Sequence, residues 1–157
     1  MLSIGADPCF LIEKRKKRIE ARKTYPSLKP PFRCFIYECK GNYIKLSNVC
    51  KGSMRRGVGK VIGEFVCDGI VQVVSHPDYL AGRPLFDANA MEKTCLTRDE
   101  LMEYAGNKDV FGWQISHLKL YDEPKALSSF SKYGYGQFVP IKRPPQSWCY
   151  VEVDDEG

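Results

Sequence analysis

The sequence predicts an α+β fold, a small mixed β-barrel of five to six strands with two or more flanking helices. Three observations predict this class. The chain has 157 residues, 43% of them hydrophobic, which is enough for a single domain with a proper core over residues 1–157. Several short segments are rich in aromatic and β-branched residues, as strands are. Two segments carry the signals of a helix N-terminus.

The chain begins with a short apolar strand over residues 2–4, followed by a short helix. Asp7 provides an N-cap and Pro8 suits the first helical position, so we expect helix through residues 9–12. A basic run follows over residues 14–23. Seven of its ten residues are Lys or Arg, and Glu20 is its one acid.

Residues 18–22 alternate as a strand does, with Ile19 and Ala21 on one face and Arg18, Glu20 and Arg22 on the other. Two interpretations of the charged face are open. It is either a solvated face whose unlike charges partly offset each other, or the floor of a pocket for a polar, planar ligand. The residue pattern alone favours the solvated face.

The next segments alternate between loops and strands. Three prolines within residues 25–31 predict a stiff, extended connection, either a surface loop, which is favoured, or the wall of a cleft. Residues 32–39 and 43–49 are predicted strands. The glycine-containing basic loop over residues 52–59 lacks the residue order of a phosphate-binding P-loop, so we assign no nucleotide triphosphate chemistry to it.

The second half of the chain contains the longest β segment, residues 58–74, in which the glycines at 59, 63 and 69 are expected either to break it into pieces or to mark bends and bulges. An irregular excursion is expected over residues 75–96. Thr97 as N-cap and Glu100 three residues later form a capping box, which predicts a helix through residue 104. Strands are predicted over residues 110–121 and 148–153, with a glycine- and tyrosine-containing loop at residues 133–136.

Charge is distributed unevenly along the chain. Residues 1–60 carry fifteen Lys or Arg and four Asp or Glu, a balance of +11, whereas residues 61–157 carry nine and fifteen, a balance of −6. If the fold collects the first set on one face, that face is suited to phosphate backbones. If the fold interleaves the two sets, the unlike charges pair and the surface has an ordinary charge distribution.

The seven cysteines are scattered, none forms a Cys-x-x-Cys pair, and the two histidines are far apart in sequence. We therefore predict reduced thiols, no metal and no cofactor. The N-terminus lacks the order of a secretory signal, and no apolar run approaches the roughly 18 residues of a membrane span. A cytoplasmic protein without membrane contact is expected.

Several motifs resemble the ASCH family of the PUA-like superfamily. They are residues 2–4 (LSI), the element Lys17-x-Ile19-Glu20-x-Arg22, the strand residues 34–37 (CFIY) and the segment 59–65 (GKVIGEF). The resemblance covers roughly residues 2–70, and it is strongest to uncharacterised ASCH-type proteins of Firmicutes and their prophages. It implies a small PUA-like barrel with a cleft for RNA or a modified nucleobase.

The resemblance also implies site residues. Lys17, Glu20 and Arg22 would line the cleft, and one branch of the family hydrolyses the amide of 4-acetylcytidine with a Lys, a Thr and a Glu. Lys17 matches that lysine, but Glu20 stands where the threonine would be, with Thr24 on the same face of a strand. Arg15 replaces the glycine that the family prefers before the lysine.

The first functional hypothesis is an RNA- or nucleoside-binding module, with a monomer favoured. Tyr37, Trp113 and Trp148 are candidates to stack on a base, although each alone is better explained as core. The predicted ligand-binding residues are Lys17, Glu20, Arg22, Thr24, Tyr37 and Trp113. The predicted phosphate-binding residues are Lys14, Arg15, Lys16, Arg18, Lys23, Arg55 and Arg56.

The alternative hypothesis is an amidohydrolase that removes an acyl group from a cytidine-type nucleoside. Nearby cations would favour a neutral Lys17 amine that activates water, while Glu20 or Glu64 moves the proton. Glu64 is equally explained as an outward-facing strand residue. A third hypothesis is a phage protein that binds a host protein through the acidic C-terminal half.

Overall fold

The computed structural model describes residues 1–41 and 56–152. The strands are β1 (Leu2–Ile4), β2 (Ile19–Arg22), β3 (Phe32–Glu38), β4 (Lys60–Ser75), β5 (Leu85–Phe86), β6 (Val110–Lys125), β7 (Ser131–Gly134) and β8 (Gln137–Pro140). The α-helices are α1 (Ala6–Glu13), α2 (Ala88–Thr94) and α3 (Arg98–Ala105), and single 3₁₀ turns occupy Asp78–Leu80 and Leu127–Ser129.

Six of these strands form one sheet, in the order β1-β3-β4-β6-β2, with β5 paired to β4. Strands β7 and β8 pair separately as an antiparallel hairpin. The α+β class is therefore confirmed, with three α-helices in the part of the chain that is described. Closure of the sheet into a barrel stays a prediction.

The described residues divide into two compact units, neither of which is continuous in sequence. Unit 1 comprises residues 1–10, 34–41, 56–65 and 118–152, and unit 2 comprises residues 11–33 and 66–117. The long strands β4 and β6 each contribute one half to each unit. The assignment of residues 1–157 to one domain stays a prediction.

Unit 1 is built around the parallel pair β1–β3, in which Leu2 lies opposite Ile36. Its buried apolar cluster comprises Met1, Phe35, Tyr37, Val61, Phe130 and Ile141. The hairpin β7–β8 belongs to this unit and exposes the rings of Tyr133 and Tyr135.

Unit 2 is built around the antiparallel pair β2–β6 and the helices α2 and α3. Its buried apolar cluster contains Ile19 and Ala21 from β2, with Val73, Val74, Ala90, Leu101, Ala105 and Val110. Gly112 lies opposite Ala21, and a Cβ atom at this glycine would stand 2.5 Å from Ile19 Cγ2. The close packing of β2 on β6 therefore requires a residue without a side chain.

Four elements agree with the sequence-based predictions. The N-terminal strand, the short helix after Gly5 and the strand from Phe32 are all present. The capping box of α3 is also present, because Thr97 Oγ1 accepts from the Glu100 N–H at 3.2 Å and Glu100 Oε2 accepts from the Thr97 N–H at 2.7 Å. The capping box was readable from the sequence because its hydrogen bonds join residues three apart, whereas β1 and β3 were readable from their composition alone, since they pair with each other across more than thirty residues.

The prediction that glycines break the longest β segment was wrong. Strand β4 runs without interruption over sixteen residues. A Cβ atom at Gly63 would stand 2.5 Å from the carbonyl oxygen of Lys119, so this glycine permits the backbones of β4 and β6 to approach closely.

Three further predictions need correction. The excursion at residues 75–96 contains helix α2, whose N-cap Asp87 accepts from the Ala90 N–H at 2.8 Å. The loop at residues 133–136 is the end of the hairpin β7–β8, with Tyr135 and Gly136 at positive φ. The predicted last strand is reduced to isolated bridges of Trp148 with Leu2 and of Glu152 with Ser131.

The predicted strand at residues 43–49 and most of the basic loop at residues 52–59 lie outside the described residues. Within residues 1–41 and 56–152, none of the helices has the length and apolar character needed to cross a membrane.

Alanine at Gly112 should destabilise the protein because the added methyl group has no space beside Ile19 and Val73. We expect Gly112→Ala to lower the free energy of unfolding by about 1–3 kcal/mol, as overpacking does. The matched control is Gly69→Ala, where the new Cβ would meet its nearest neighbour at an ordinary 3.5 Å. Urea denaturation measures both variants, and equal stabilities would contradict the packing argument.

Candidate functional site

The strand pair β2–β6 presents one charged and aromatic face. Glu20 lies opposite Trp113 and Arg22 lies opposite Phe111 in the antiparallel register. Directly opposed residues project from the same side of a sheet, and residues two apart share a face. The four side chains therefore belong to one face, while Ile19 and Ala21 enter the apolar core on the other.

Lys17, Glu20 and Arg22 form a buried ion network, named here the charged triad. Lys17 Nζ lies 3.4 Å from Glu20 Oε2, and Arg22 Nη2 lies 3.0 Å from Glu20 Oε1. The three residues are only 4%, 7% and 9% exposed. The interpretation of this charged face as solvated was therefore wrong for Glu20 and Arg22, although Arg18 is exposed.

The backbone before β2 carries Lys17 into this network. Arg15 adopts a left-handed conformation with φ of 56°, which glycine would adopt at less cost. The turn before β2 is thus made by an arginine in a conformation that favours glycine. The Lys17 N–H then donates to the Leu11 carbonyl at 3.1 Å, and the Arg18 N–H donates to the Lys93 carbonyl at 2.9 Å.

Lys17 also joins β2 to the end of α2. Its ammonium donates to the carbonyl oxygen of Thr94 at 2.7 Å. Thr94 is the last residue of α2, where carbonyl groups lack partners within the helix and attract cations. Both described partners of Lys17 Nζ are oxygen acceptors, the Thr94 carbonyl and the Glu20 carboxylate.

Glu20 retains hydrogen-bonding capacity. Its Oε2 atom accepts no hydrogen bond from the described residues, although it faces the Lys17 ammonium. Tyr104 lies within the same electrostatic environment. Burial raises the pKa of its phenol, Arg22 opposes this shift, and Glu20 adds to it.

A cavity of about 470 Å³ lies in unit 2, and we name it the Pro-loop cavity. It is lined by Tyr25, Pro26, Ser27, Leu28, Lys29, Pro30, Ile70, Gln72 and Phe111. The rings of Tyr25 and Phe111 meet edge to face with centroids 4.7 Å apart. The proline-rich connection thus forms the wall of a cavity, which was the less favoured of its two interpretations.

The cavity and the charged triad are connected through one cross-strand pair. Phe111 lines the cavity and lies directly opposite Arg22. Sequence reasoning missed Phe111, Ile70 and Gln72 as cavity residues because each lies within a predicted strand. The alternation of polar and apolar residues along those strands is the sequence signal that would have identified these three residues.

The other predicted ligand residues occupy different surroundings. Trp113 is 2% exposed, packs edge to face on Phe32, and donates from Nε1 to the Thr24 carbonyl at 3.2 Å. Tyr37 is buried in the core of unit 1. Trp148 is half-buried and packs on Tyr150. The buried rings of Trp113 and Tyr37 therefore agree with the interpretation of these residues as part of the core. Thr24 itself is exposed.

Glu64 belongs to unit 1, whereas Lys17 and Glu20 belong to unit 2. Glu64 is half-buried and accepts a hydrogen bond from the Tyr121 hydroxyl at 2.5 Å. It therefore has a structural partner, and its catalytic assignment stays a prediction.

The basic run is split by the fold. Lys14, Arg15, Lys16, Arg18 and Lys23 are exposed in unit 2, whereas Lys17 and Arg22 are buried in the charged triad. Arg56 is exposed in unit 1, and Arg55 lies outside the described residues. The exposed cations of the basic run that remain candidates for phosphate in unit 2 are therefore Lys14, Arg15, Lys16, Arg18 and Lys23.

The six described cysteines have no disulfide partner, and Cys50 lies outside the described part. Within that part, no group of three or more metal-ligating side chains comes together. Burial raises the pKa of the Cys67 thiol to about 11, whereas Cys95 is exposed.

Comparison with known proteins supports the fold. No family model matches the chain, and no curated protein matches it. ASCH from Zymomonas mobilis superimposes with a TM-score of 0.53 at 19% identity, covering 80% of this chain and 71% of the other. A serine-to-alanine mutant of that protein gives 0.58 at 18% identity, covering 93% and 82%. A tyrosine-to-phenylalanine mutant gives 0.51 at 17% identity, covering 80% and 73%. The chain therefore has an ASCH-type fold.

Removing the carboxylate from the charged triad should be costly. Glu20→Gln leaves Lys17 and Arg22 buried without their counter-ion, and we expect the free energy of unfolding to fall by about 3–5 kcal/mol. Glu103→Gln, at an exposed position of α3, is the matched control and should change it by less than about 0.5 kcal/mol. Chemical denaturation decides. Removing one partner of a solvated ion pair lowers the free energy of unfolding by less than about 1 kcal/mol. A loss that small for Glu20→Gln would contradict the burial of the charged triad.

The thiols should differ strongly in reactivity. At pH 8 in the folded protein, Cys95 should react rapidly with a disulfide reagent, whereas Cys67 should remain protonated and unreactive, because the thiolate is the nucleophile. After denaturation without reductant, all seven thiols should titrate. Mass spectrometry of the labelled peptides locates the modified residues, and Cys95→Ser should remove the contribution of Cys95 to the fast phase. Fast labelling of Cys67 would contradict its raised pKa.

Proposed function

We propose that this chain is an RNA- or modified-nucleobase-binding module, in which the Pro-loop cavity holds one base and nearby exposed cations contact phosphates. One observation carries the proposal: the same strand pair bears the buried charged triad and an aromatic wall of the cavity. The cost of removing charges from water makes a buried ion network a weak stabilising device, which supports a functional role for this one.

The cavity has the properties of a small-molecule site. A volume of about 470 Å³ falls within the usual range for ligand cavities. Its lining is mostly apolar, with two aromatic rings and a few polar side chains, which suits a flat heterocycle. Tyr25 is half exposed, so its ring is accessible to a base. We therefore assign the stacking role to Tyr25 and Phe111 in place of Tyr37 and Trp113.

The charged triad supports the cavity wall. Arg22 and Glu20 pair with each other on β2, and Phe111 of β6 is the cross-strand neighbour of Arg22. Glu20 Oε2 accepts no hydrogen bond from the described residues, but Glu20 does not line the cavity, so its proposed role is to hold Lys17 and Arg22 in place and not to contact the base. Lys17, Glu20, Arg22 and Thr24 therefore remain the proposed polar residues of the site.

The exposed cations of the basic run would attract the phosphate backbone of a nucleic acid. Lys14, Arg15, Lys16, Arg18 and Lys23 precede the cavity-lining residues 25–30 in the chain by two to eleven residues. Neutralising phosphates with such side chains releases counter-ions, so binding should weaken strongly with salt. Arg55 and Arg56 are proposed as additional phosphate contacts.

The amidohydrolase hypothesis has one supporting observation, the buried contact between Lys17 and Glu20. It would use Lys17, Glu20 and Glu64. However, position 20 carries no hydroxyl group, and Lys17 is engaged with acceptors. Binding is therefore the better-supported proposal.

The proposal includes the finer predictions made from the sequence. These are a closed PUA-like barrel, one domain over residues 1–157, and a monomeric cytoplasmic protein of prophage type that works without metal or cofactor.

The decisive experiment is a fluorescence titration with nucleosides and with a short single-stranded RNA, at about 50 and 200 mM salt. Tyr25→Ala should weaken nucleoside binding about tenfold, because base stacking contributes about 1–3 kcal/mol. Tyr79→Ala is the matched control, since Tyr79 is 81% exposed in the same unit and does not line the cavity. Equal loss in both variants, or no binding by the wild type, would contradict the proposal.

The phosphate contribution is tested with paired charge variants. Lys16→Gln with Arg18→Gln should lower the slope of log affinity against log salt by about 1.4 for single-stranded RNA. Arg83→Gln with Lys108→Gln removes the same charge from exposed positions of unit 2 and should leave the slope unchanged. Chromatography of 4-acetylcytidine incubated with wild type tests the alternative, because release of cytidine would establish the hydrolase instead.

A further inference from the structure

Gln72 is a polar side chain of the Pro-loop cavity that projects from a long, regular strand. It lies on β4, whereas Ser27 and Lys29 lie on the proline-rich connection. Its Nε2 atom donates to Asp109 Oδ2 at 2.9 Å. A group on a sheet strand is positioned more reproducibly than one on a loop, so Gln72 is the best placed of these residues to read a ligand.

Asp109 determines which way the Gln72 amide points. A carboxylate only accepts hydrogen bonds, so the atom of Gln72 that faces it must be the nitrogen. The alternative orientation would bring the amide oxygen against a carboxylate oxygen. Gln72 is therefore left with its carbonyl oxygen as an acceptor and one N–H as a donor.

Asp109 is itself held in place from a second side. Its Oδ1 atom accepts from the backbone N–H of His76 at 2.8 Å, just after the end of β4. The His76 ring lies against the same oxygen, with Nδ1 at 3.5 Å. The carboxylate is thus fixed by the main chain and in turn fixes the amide, although Asp109 does not line the cavity.

Glu20, which the sequence favoured for reading the ligand, is placed differently. It is held by two cations in the charged triad and does not line the cavity. Base selection in the cavity therefore falls to another residue.

We infer that Gln72 is the base-reading residue of the Pro-loop cavity and that Asp109 is its positioning residue. The ligand is a planar base that presents an adjacent hydrogen-bond donor and acceptor, as an amide or amidine edge does. The Gln72 oxygen accepts from the ligand donor, and the remaining N–H donates to the ligand acceptor. This inference rests on the proposed function, because it names the ligand chemistry of the same cavity.

The test compares nucleosides that differ in one donor. Uridine presents N3–H beside a carbonyl, and 3-methyluridine has lost that donor; cytidine and its N4,N4-dimethyl derivative form a second pair. Wild type should prefer each unmethylated partner by about 5- to 150-fold, the discrimination of a good bidentate contact. The measured quantity is this affinity ratio, with the melting temperature recorded for every variant.

Two variants should lower the ratio towards one. Asp109→Asn can meet Gln72 with either an oxygen or a nitrogen, so the amide loses its fixed orientation. Gln72→Leu removes the reading group and leaves Asp109 bonded to the His76 backbone, which protects the fold. Asp78→Asn, at an exposed position of the same unit, is the matched control and should retain the wild-type ratio.

Each outcome decides the inference. Lowered ratios in Asp109→Asn and Gln72→Leu, with an unchanged control, support it. Unchanged affinity ratios in those two variants overturn the inference, while the proposed function stands. This holds even if the melting temperature of Asp109→Asn falls, because a lower melting temperature with an unchanged ratio shows only a structural role for Asp109. Binding by wild type without discrimination also overturns it. Absence of nucleoside binding by wild type overturns the proposed function and the inference together.

Discussion

The buried charged triad is the constraint on which unit 2 depends. Removing an ion from water costs several kcal/mol, so Lys17, Glu20 and Arg22 are tolerated inside the protein only while they remain in contact. Their contacts span the turn before β2, both ends of that strand and the last carbonyl of α2. A shift of any of these elements would leave a charge without its partner.

This constraint also sets the register that shapes the cavity. A slip of β2 by one residue would move Glu20 and Arg22 into the apolar cluster and Ile19 and Ala21 out of it. Register therefore places Arg22 opposite Phe111, and Phe111 becomes a wall of the Pro-loop cavity. The packing of Ile19 on Gly112 holds the two strands together from the opposite face. Stability and site geometry thus have the same origin.

The site combines two kinds of polar group with different physical roles. The charged triad is internally paired and gives position, whereas the Gln72–Asp109 pair leaves hydrogen-bonding groups available at the cavity. The exposed cations of the basic run differ from both, because charges in solvent interact at longer range and without a fixed geometry. An ASCH-type fold therefore carries, in this chain, a base-sized cavity whose walls and polar groups come from distant parts of the sequence.

The sequence by itself determined what depends on local periodicity and local hydrogen bonds. The alternation around Glu20, the Thr97–Glu100 capping box and the β-rich segments identified β2, α3 and an α+β fold. The motif order from Leu2 to Phe65 identified the ASCH resemblance. Only the tertiary structure decided whether the charged face was buried, because Thr94, which accepts from the Lys17 ammonium, lies on a helix more than seventy residues away in sequence. The cavity likewise joins residues 25–30, 70–72 and 111, and non-local contacts of this kind leave no pattern within a short segment.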